Sequence, residues 1–208
     1  MLGKIKVGIL DLGINNIQSI FSAFKISGYK TQLVKPEYKK YNYDILVLPG
    51  VGAFPKAMDI IRKNKVDEKI MMFLNNKDKI LYGICLGMQI FFNQSEEFQK
   101  VRGLGLINGN VLKFKKRLEK NAYNIGWRPL IKNKFSNSTQ NLNNKMFYFV
   151  HGFYVESNDI NSTEYYSKFN NQKFTAMVKK DNIFGTQFHP EKSGKDGIQF
   201  IKNIRKLI

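Results

Sequence analysis

The chain contains one cysteine and two histidines, so any thiol chemistry has few participants. Cys85 lies in LYGICLGMQIFF, where an apolar run meets Gly-x-Cys-x-Gly and passes directly into helix-patterned residues Met88, Ile90 and Phe91. This is the spacing of a nucleophile elbow. Gly83 and Gly87 allow a turn so tight that a side chain on either would strike neighbouring backbone, and the central residue is held strained and thrust outward. A helix beginning there also favours thiolate over thiol, because its dipole and free N–H groups stabilise negative charge. A lone cysteine is more often a small buried hydrophobe, but mere burial requires no such turn.

A thiol nucleophile needs a base. His189 stands in TQFHPEKSG, directly after the apolar run Ile183 to Phe188. If the extended conformation continues, residues two apart project to the same side and Glu191 sits beside His189. Its carboxylate would then hold the imidazole in one tautomer and stabilise its charged form, with Pro190 stiffening the pair. His151, in YFVHGFY, is the competing base, but it has aromatic surroundings and no nearby carboxylate. It reads equally as a satisfied structural histidine or as a wall of the substrate site. The third element is PGVG at residues 49–52, at the end of an apolar strand, where doubly wound sheets place ligands. Glycine there lets backbone N–H groups turn toward a developing oxyanion, and the N–H of Leu86, the residue after the nucleophile, is the second donor that an elbow supplies. Taken alone, PGVG is an ordinary loop.

Positioning these groups requires an α/β framework. In the first half, Ile-, Val- and Leu-rich runs alternate with helix-period segments, the pattern of a mostly parallel sheet covered on both faces. Strands are expected over Lys4 to Leu10, Thr31 to Val34, Asp44 to Leu48 and Ile80 to Ile84. Helices are expected from Ile17 to a stop at Gly28, and from about Phe54 to Leu74. The second half offers short strand candidates at Val111 to Phe114, Phe147 to Val150, Tyr154 to Glu156, Glu164 to Phe169, Thr175 to Val178 and Ile183 to Phe188, suited to an antiparallel extension. Lys132 to Lys145 is polar and Asn-rich and reads as a surface loop. A final helix buries Ile198, Ile201 and Ile204 and carries Lys202, Arg205 and Lys206 near its end, where cations suit the dipole.

At 208 residues the chain is expected to form one domain over 1–208. No apolar run approaches the roughly eighteen residues of a membrane helix, and the start reads as a strand rather than a signal peptide, so a cytoplasmic protein is expected. One cysteine allows no internal disulfide, the histidines show no metal-ligand spacing, and neither metal nor cofactor is expected. The net charge of +18 invites nucleic acid or anionic membrane as a partner. Its lysines are scattered among asparagines without a basic tract, so neither is expected. The competing reading of a non-catalytic basic protein rests on this charge alone.

GICLGMQ, LPGVGAF and FHPEKSG, in that order, resemble the class I, triad-type glutamine amidotransferases. Within them the chain is most similar to the glutaminase subunits of imidazole glycerol phosphate synthase, a likeness that also takes in VGILDLGINNIQSI, SEEF, GLGLINGNV, Gly126-Trp127 and YFVHGF. The resemblance implies a flavodoxin-like fold and a thioester between Cys85 and the side-chain carbonyl of glutamine, with His189 and Glu191 completing the triad. By the same resemblance Gly50, Val51 and Leu86 form the oxyanion hole, Gln89 and Glu97 hold the substrate glutamine, Gly52 lines its pocket, and His151 borders it. A (β/α)-barrel cyclase would form the heterodimer and receive the ammonia, with Asn16, Trp127, Tyr148 and Lys192 facing it. Asn124, Arg128 and Gly152-Phe153 depart from the usual pattern, where histidine, asparagine and a hydroxyl residue with tyrosine are common. Paralogues that serve amidino-sugar or surface-polysaccharide synthesis share the resemblance, so the acceptor stays open between these and histidine biosynthesis.

Overall fold

The computed structural model describes residues 4–13, 17–50, 52–114, 123–136 and 141–206. The apolar runs of the first half form strands β1 (Lys6–Leu10), β2 (Lys30–Val34), β3 (Ile45–Leu48) and β4 (Ile80–Ile84). They alternate with helices α1 (Gln18–Ile26), α2 (Phe54–Lys63) and α3 (Val66–Leu74), and the four-residue α4 (Leu86–Gln89) follows β4. The second half contributes β5 (Gln94–Ser95), β6 (Val101–Arg102), β7 (Gly109–Lys113), β8 (Asn124–Pro129), β9 (Ile131–Lys132), β10 (Met146–His151), β11 (Phe153–Ser157), β12 (Thr163–Phe169), β13 (Gln172–Lys180) and β14 (Ile183–Thr186). Helix α5 (Gly194–Lys202) comes last, between 3-10 turns at Pro190–Lys192 and Ile204–Lys206.

The main sheet runs β2-β1-β3-β4-β14-β13-β11-β7-β5-β6. Its first five strands are parallel neighbours, and β14-β13-β11-β7 continue antiparallel. Consecutive residues of the central strands feed opposite faces, as the two-residue period of a strand requires. Ile45 and Val47 join the core shared with α1 and α5, whereas Leu46 and Leu48 join that shared with α2 and α3. Both faces are therefore covered, and the parallel strands must be apolar throughout. Their carboxyl ends all point one way, so the ends of β3, β4 and β14 bring residues distant in sequence to one edge.

The single helix expected from Phe54 to Leu74 is two. Lys65 takes the left-handed conformation (φ 52°, ψ 37°), and the Lys69 ammonium donates to the Asn64 carbonyl at 2.7 Å, closing the turn between them. Helical periodicity persists across such a break because both helices bury the same side. The helix expected through Phe91 stops at Gln89, because the carbonyls of Ile90 and Phe91 are taken by the N–H groups of Leu104 and of Leu106 and Ile107. The final helix likewise ends at Lys202, and Ile204 is buried from the 3-10 turn that follows. Strand β8 was not anticipated: among the described residues it pairs only with β10, and of its residues only Asn124 is buried, so it carries no apolar run. The polar segment 132–145 is anchored by buried Leu142, whose N–H donates to the Tyr165 hydroxyl; residues 137–140 lie outside the described residues.

Candidate active site

Cys85 follows β4 directly and holds φ 52°, ψ −106°, a conformation that costs a non-glycine residue on the order of 1–3 kcal/mol. The surrounding packing enforces it. A Cβ on Gly83 would lie 2.6 Å from the Gly87 carbonyl and the Met88 nitrogen, and one on Gly87 would overlap the Leu48 carbonyl at the end of β3. One on Gly50 would overlap the Leu86 nitrogen, so Gly50 presses directly against the elbow. Cys85 N–H donates to the Thr186 carbonyl at 2.6 Å, tying the nucleophile to the end of β14. Cys85 is 6% exposed. With only four residues in α4, the helix dipole is a smaller source of thiolate stabilisation than the sequence suggested.

His189 reaches the site from the segment after β14, its N–H bonded to the Tyr148 carbonyl of β10 at 2.9 Å. The His189–Glu191 contact does form, Nδ1 to Oε1 at 2.7 Å, but across a 3-10 turn and not along a continued strand. Both side chains are nearly fully buried. Among the described residues the other ring nitrogen, Nε2, has no hydrogen-bond partner of ordinary geometry; its interaction is with the Cys85 sulfur. Burial alone would lower the pKa of His189, but the charge of Cys85, its hydrogen bond and the Glu191 carboxylate outweigh burial and raise it to about 10.

His151 ends β10 and is wired differently. Its Nδ1 donates to the Phe153 carbonyl at 2.7 Å, and since a carbonyl only accepts, Nε2 must accept, which it does from the Asn124 amide at 3.0 Å. Asn124 in turn accepts from Arg128 Nε at 3.1 Å, whose guanidinium lies over the Phe169 ring. Burial lowers the His151 pKa to about 3, so this ring is neutral. These residues fit one another: Asn124 donates to His151 and is itself held by Arg128, and a Cβ on Gly152 would collide with the Tyr123 ring.

A pocket of about 290 Å³ opens over the sulfur, lined by Gly50, Gly52, Leu86, Gln89, Glu97, His151 and Lys192 among others. The Glu97 carboxylate accepts from the Phe54 N–H at 2.7 Å, and partial burial raises its pKa. Both Gln89 amide hydrogens are committed within the protein, to the Phe153 carbonyl at 3.0 Å and the Gln187 oxygen at 3.1 Å, so contact with a substrate falls to its carbonyl oxygen. Trp127 and Tyr148 pair across β8 and β10 and pack edge to face, centroids 6.1 Å apart. Val51 and Asn16 lie outside the described residues. Sequence reading missed Gln187, fully buried beside the sulfur; its position two residues before His189, on the same side of an extended segment, was the available signal. Among the described residues no cluster of His, Cys, Asp or Glu could hold a metal ion, and no helix is long and apolar enough to cross a membrane.

A strained cysteine between glycines, backed by a buried histidine–carboxylate pair at the edge of a doubly wound sheet, is an arrangement built for acyl transfer through a thiol. The chain belongs to the class-I glutamine amidotransferase family, whose model matches residues 8–206. It is 36% identical over 203 residues to the imidazole glycerol phosphate synthase subunit HisH of Caldanaerobacter subterraneus subsp. tengcongensis, covering 97% of this chain and 98% of the relative. It is also 35% identical over 199 residues to the chloroplastic imidazole glycerol phosphate synthase hisHF of Arabidopsis thaliana, matching 95% of this chain but 33% of that longer protein. Among solved structures, PurLQS from Thermotoga maritima superposes with a TM-score of 0.76 at 20% identity, covering 98% of this chain and 99% of that one, a likeness of fold.

Proposed function

We propose that this chain hydrolyses the side-chain amide of glutamine and passes the ammonia to the cyclase subunit of an imidazole glycerol phosphate synthase, in histidine biosynthesis. The observation that carries the chemistry is the buried pair of His189 and Glu191, Nδ1 to Oε1 at 2.7 Å, beside the strained Cys85, whose sulfur and the carboxylate raise the pKa of the imidazole against its burial. The names and full-length match of the relatives carry the pathway. In this reading the Cys85 thiolate attacks the amide carbon, forming a C–S bond and an oxyanion. The backbone N–H groups of Leu86 and of the Gly50 and Val51 segment stabilise that charge. His189 gives its proton to the departing nitrogen, ammonia leaves and a thioester remains. Water then attacks the thioester, His189 takes the proton, and glutamate departs as the thiolate reforms. Glu97, Gln89, Gly52 and the ring of His151 frame the substrate; a carboxylate at Glu97 suits its α-ammonium group.

The partner is a (β/α)-barrel cyclase, and the face that fits it is the β8–β10 ribbon. Tyr123, Ile125, Trp127 and Met146 are 61%, 58%, 46% and 43% exposed, a band of apolar side chains of the kind that marks interaction surfaces. The same β10 presents the Val150 carbonyl to the Cys85 sulfur at 4.0 Å, so ammonia is released beside the strand that the partner would cover. Lys192 stands exposed at the pocket mouth, within reach of that partner. The test is glutamate release from glutamine by the purified chain, alone and with each barrel-type synthase subunit of the same organism and its acceptor. Stimulation by the histidine-pathway cyclase is the expected result. Stimulation only by a sugar-amidating synthase would reassign the pathway, and silence with every partner would refute glutaminase function.

A further inference from the structure

Among the described residues, Gln187 is the one fully buried side chain amide that touches the sulfur. Its Nε2 lies 3.4 Å from Cys85 Sγ, its Oε1 accepts from Gln89 Nε2 at 3.1 Å, and its backbone N–H is anchored to the Ala176 carbonyl at 2.9 Å. The orientation of this amide follows from chemistry. The Phe153 carbonyl can only accept, so Gln89 must turn its NH₂ toward it. The second hydrogen of that NH₂ then meets Gln187, which must offer its oxygen in return. Gln187 is left with its own NH₂ toward the sulfur; the flipped amide would place donor against donor at Gln89. An N–H donor aimed at sulfur favours the thiolate, which accepts strongly, over the thiol, which accepts weakly.

We propose that Gln187 is a positioning residue for the nucleophile: through a relay fixed by the Phe153 carbonyl and Gln89, its amide holds the Cys85 sulfur at the pocket and stabilises it as thiolate. The proposal rests on Cys85 being the nucleophile but not on the identity of the acceptor. Because Gln89 also lines the pocket, the relay joins the substrate wall to the attacking atom. The other groups that bear on the sulfur are the Val150 carbonyl of β10 at 4.0 Å, His189 with Glu191 from the segment after β14, His151 from β10, and Lys192 and Glu97 at the pocket. His151 stays neutral, and the remaining charges are the same in any variant of Gln187.

The chain has one cysteine, so alkylation by iodoacetamide reports Cys85 alone. Its rate is measured against pH for the wild type, Gln187→Met and Gln187→Glu, with melting temperature and glutaminase kcat and KM alongside. In Gln187→Met the midpoint should move to higher pH, with alkylation near neutrality about tenfold slower. The carboxylate of Gln187→Glu should move it further the same way, and in both kcat should fall more than KM changes. A merely structural glutamine would lower the melting temperature and leave the midpoint in place. If Gln187→Met does not fold, the nearly isosteric Gln187→Glu decides, and an unshifted profile in a folded variant overturns the proposal. A wild type that alkylates with the expected profile yet never releases glutamate would instead refute the functional reading.

Discussion

The two histidines of the chain are both buried at the carboxyl-terminal edge of the sheet and hold opposite charge states. His189 is raised to about 10 because the Cys85 sulfur and Glu191 outweigh its burial. His151 is lowered to about 3 because its burial is offset only by the Phe153 carbonyl, its other hydrogen-bond partner is the neutral Asn124 amide, and the charge of His189 pushes the same way as burial. Burial is therefore common to both, and the neighbours decide the proton. One histidine is equipped to give and take a proton at the sulfur; the other is a neutral strut that keeps β8, β10 and the pocket wall in register.

The largest test of this contrast is Cys85→Ser, which removes the charge that raises His189. Glutamate release should fall by about a thousandfold or more, and NMR titration should find His189 moved down; an unmoved His189 would show that the sulfur is not its partner. Next is Glu191→Gln, which keeps the size of the side chain but removes its charge. A loss of roughly a hundredfold or more in kcat is expected, with KM changed far less; equal activity would break the pairing. On the outer face of the β8–β10 ribbon, Trp127→Ala should leave Cys85 alkylation unchanged while weakening the complex with the cyclase about tenfold, measured by calorimetry.

The smallest effect is in stability. The folded pKa of His189 lies above its unfolded value near 6.5, so its contribution is full below that pH and is lost as pH rises toward about 10. His151 has the opposite sign: its folded pKa lies below the unfolded value, so stability present above pH 6.5 is lost as pH falls toward about 3. Urea midpoints measured across pH should therefore decline on both sides of neutrality. His151→Gln should flatten the acid flank, and His189→Gln the alkaline flank with a smaller easing of the acid flank, since the charge of His189 helps lower His151; an alkaline flank unchanged in His189→Gln would contradict the assigned shifts.

The parallel half of the fold was legible because its strands, buried on both faces, leave unbroken apolar runs such as Ile45–Leu48 and Ile80–Ile84. The elbow was legible for a different reason: Gly83, Cys85 and Gly87 fall within five consecutive residues, and the steric need for glycine is local. The ribbon strand β8 escaped because its partner β10 is distant in sequence and its exposed face, with Ile125 and Trp127, carries no burial pattern. Gln187 escaped because a buried amide is recognisable only by the groups it meets, which are the Cys85 sulfur just after β4 and Gln89 of α4.

By itself the sequence determined the inventory: one thiol, two imidazoles, a carboxylate two residues from one of them, and glycines where a turn must be tight. These follow from residue type and short spacing, which folding cannot alter. Only the tertiary structure decided which imidazole carries charge, which way each amide points and what closes the pocket. Protonation and hydrogen-bond direction depend on distances of a few ångströms between segments far apart in the chain, and the order of strands in the sheet sets those distances.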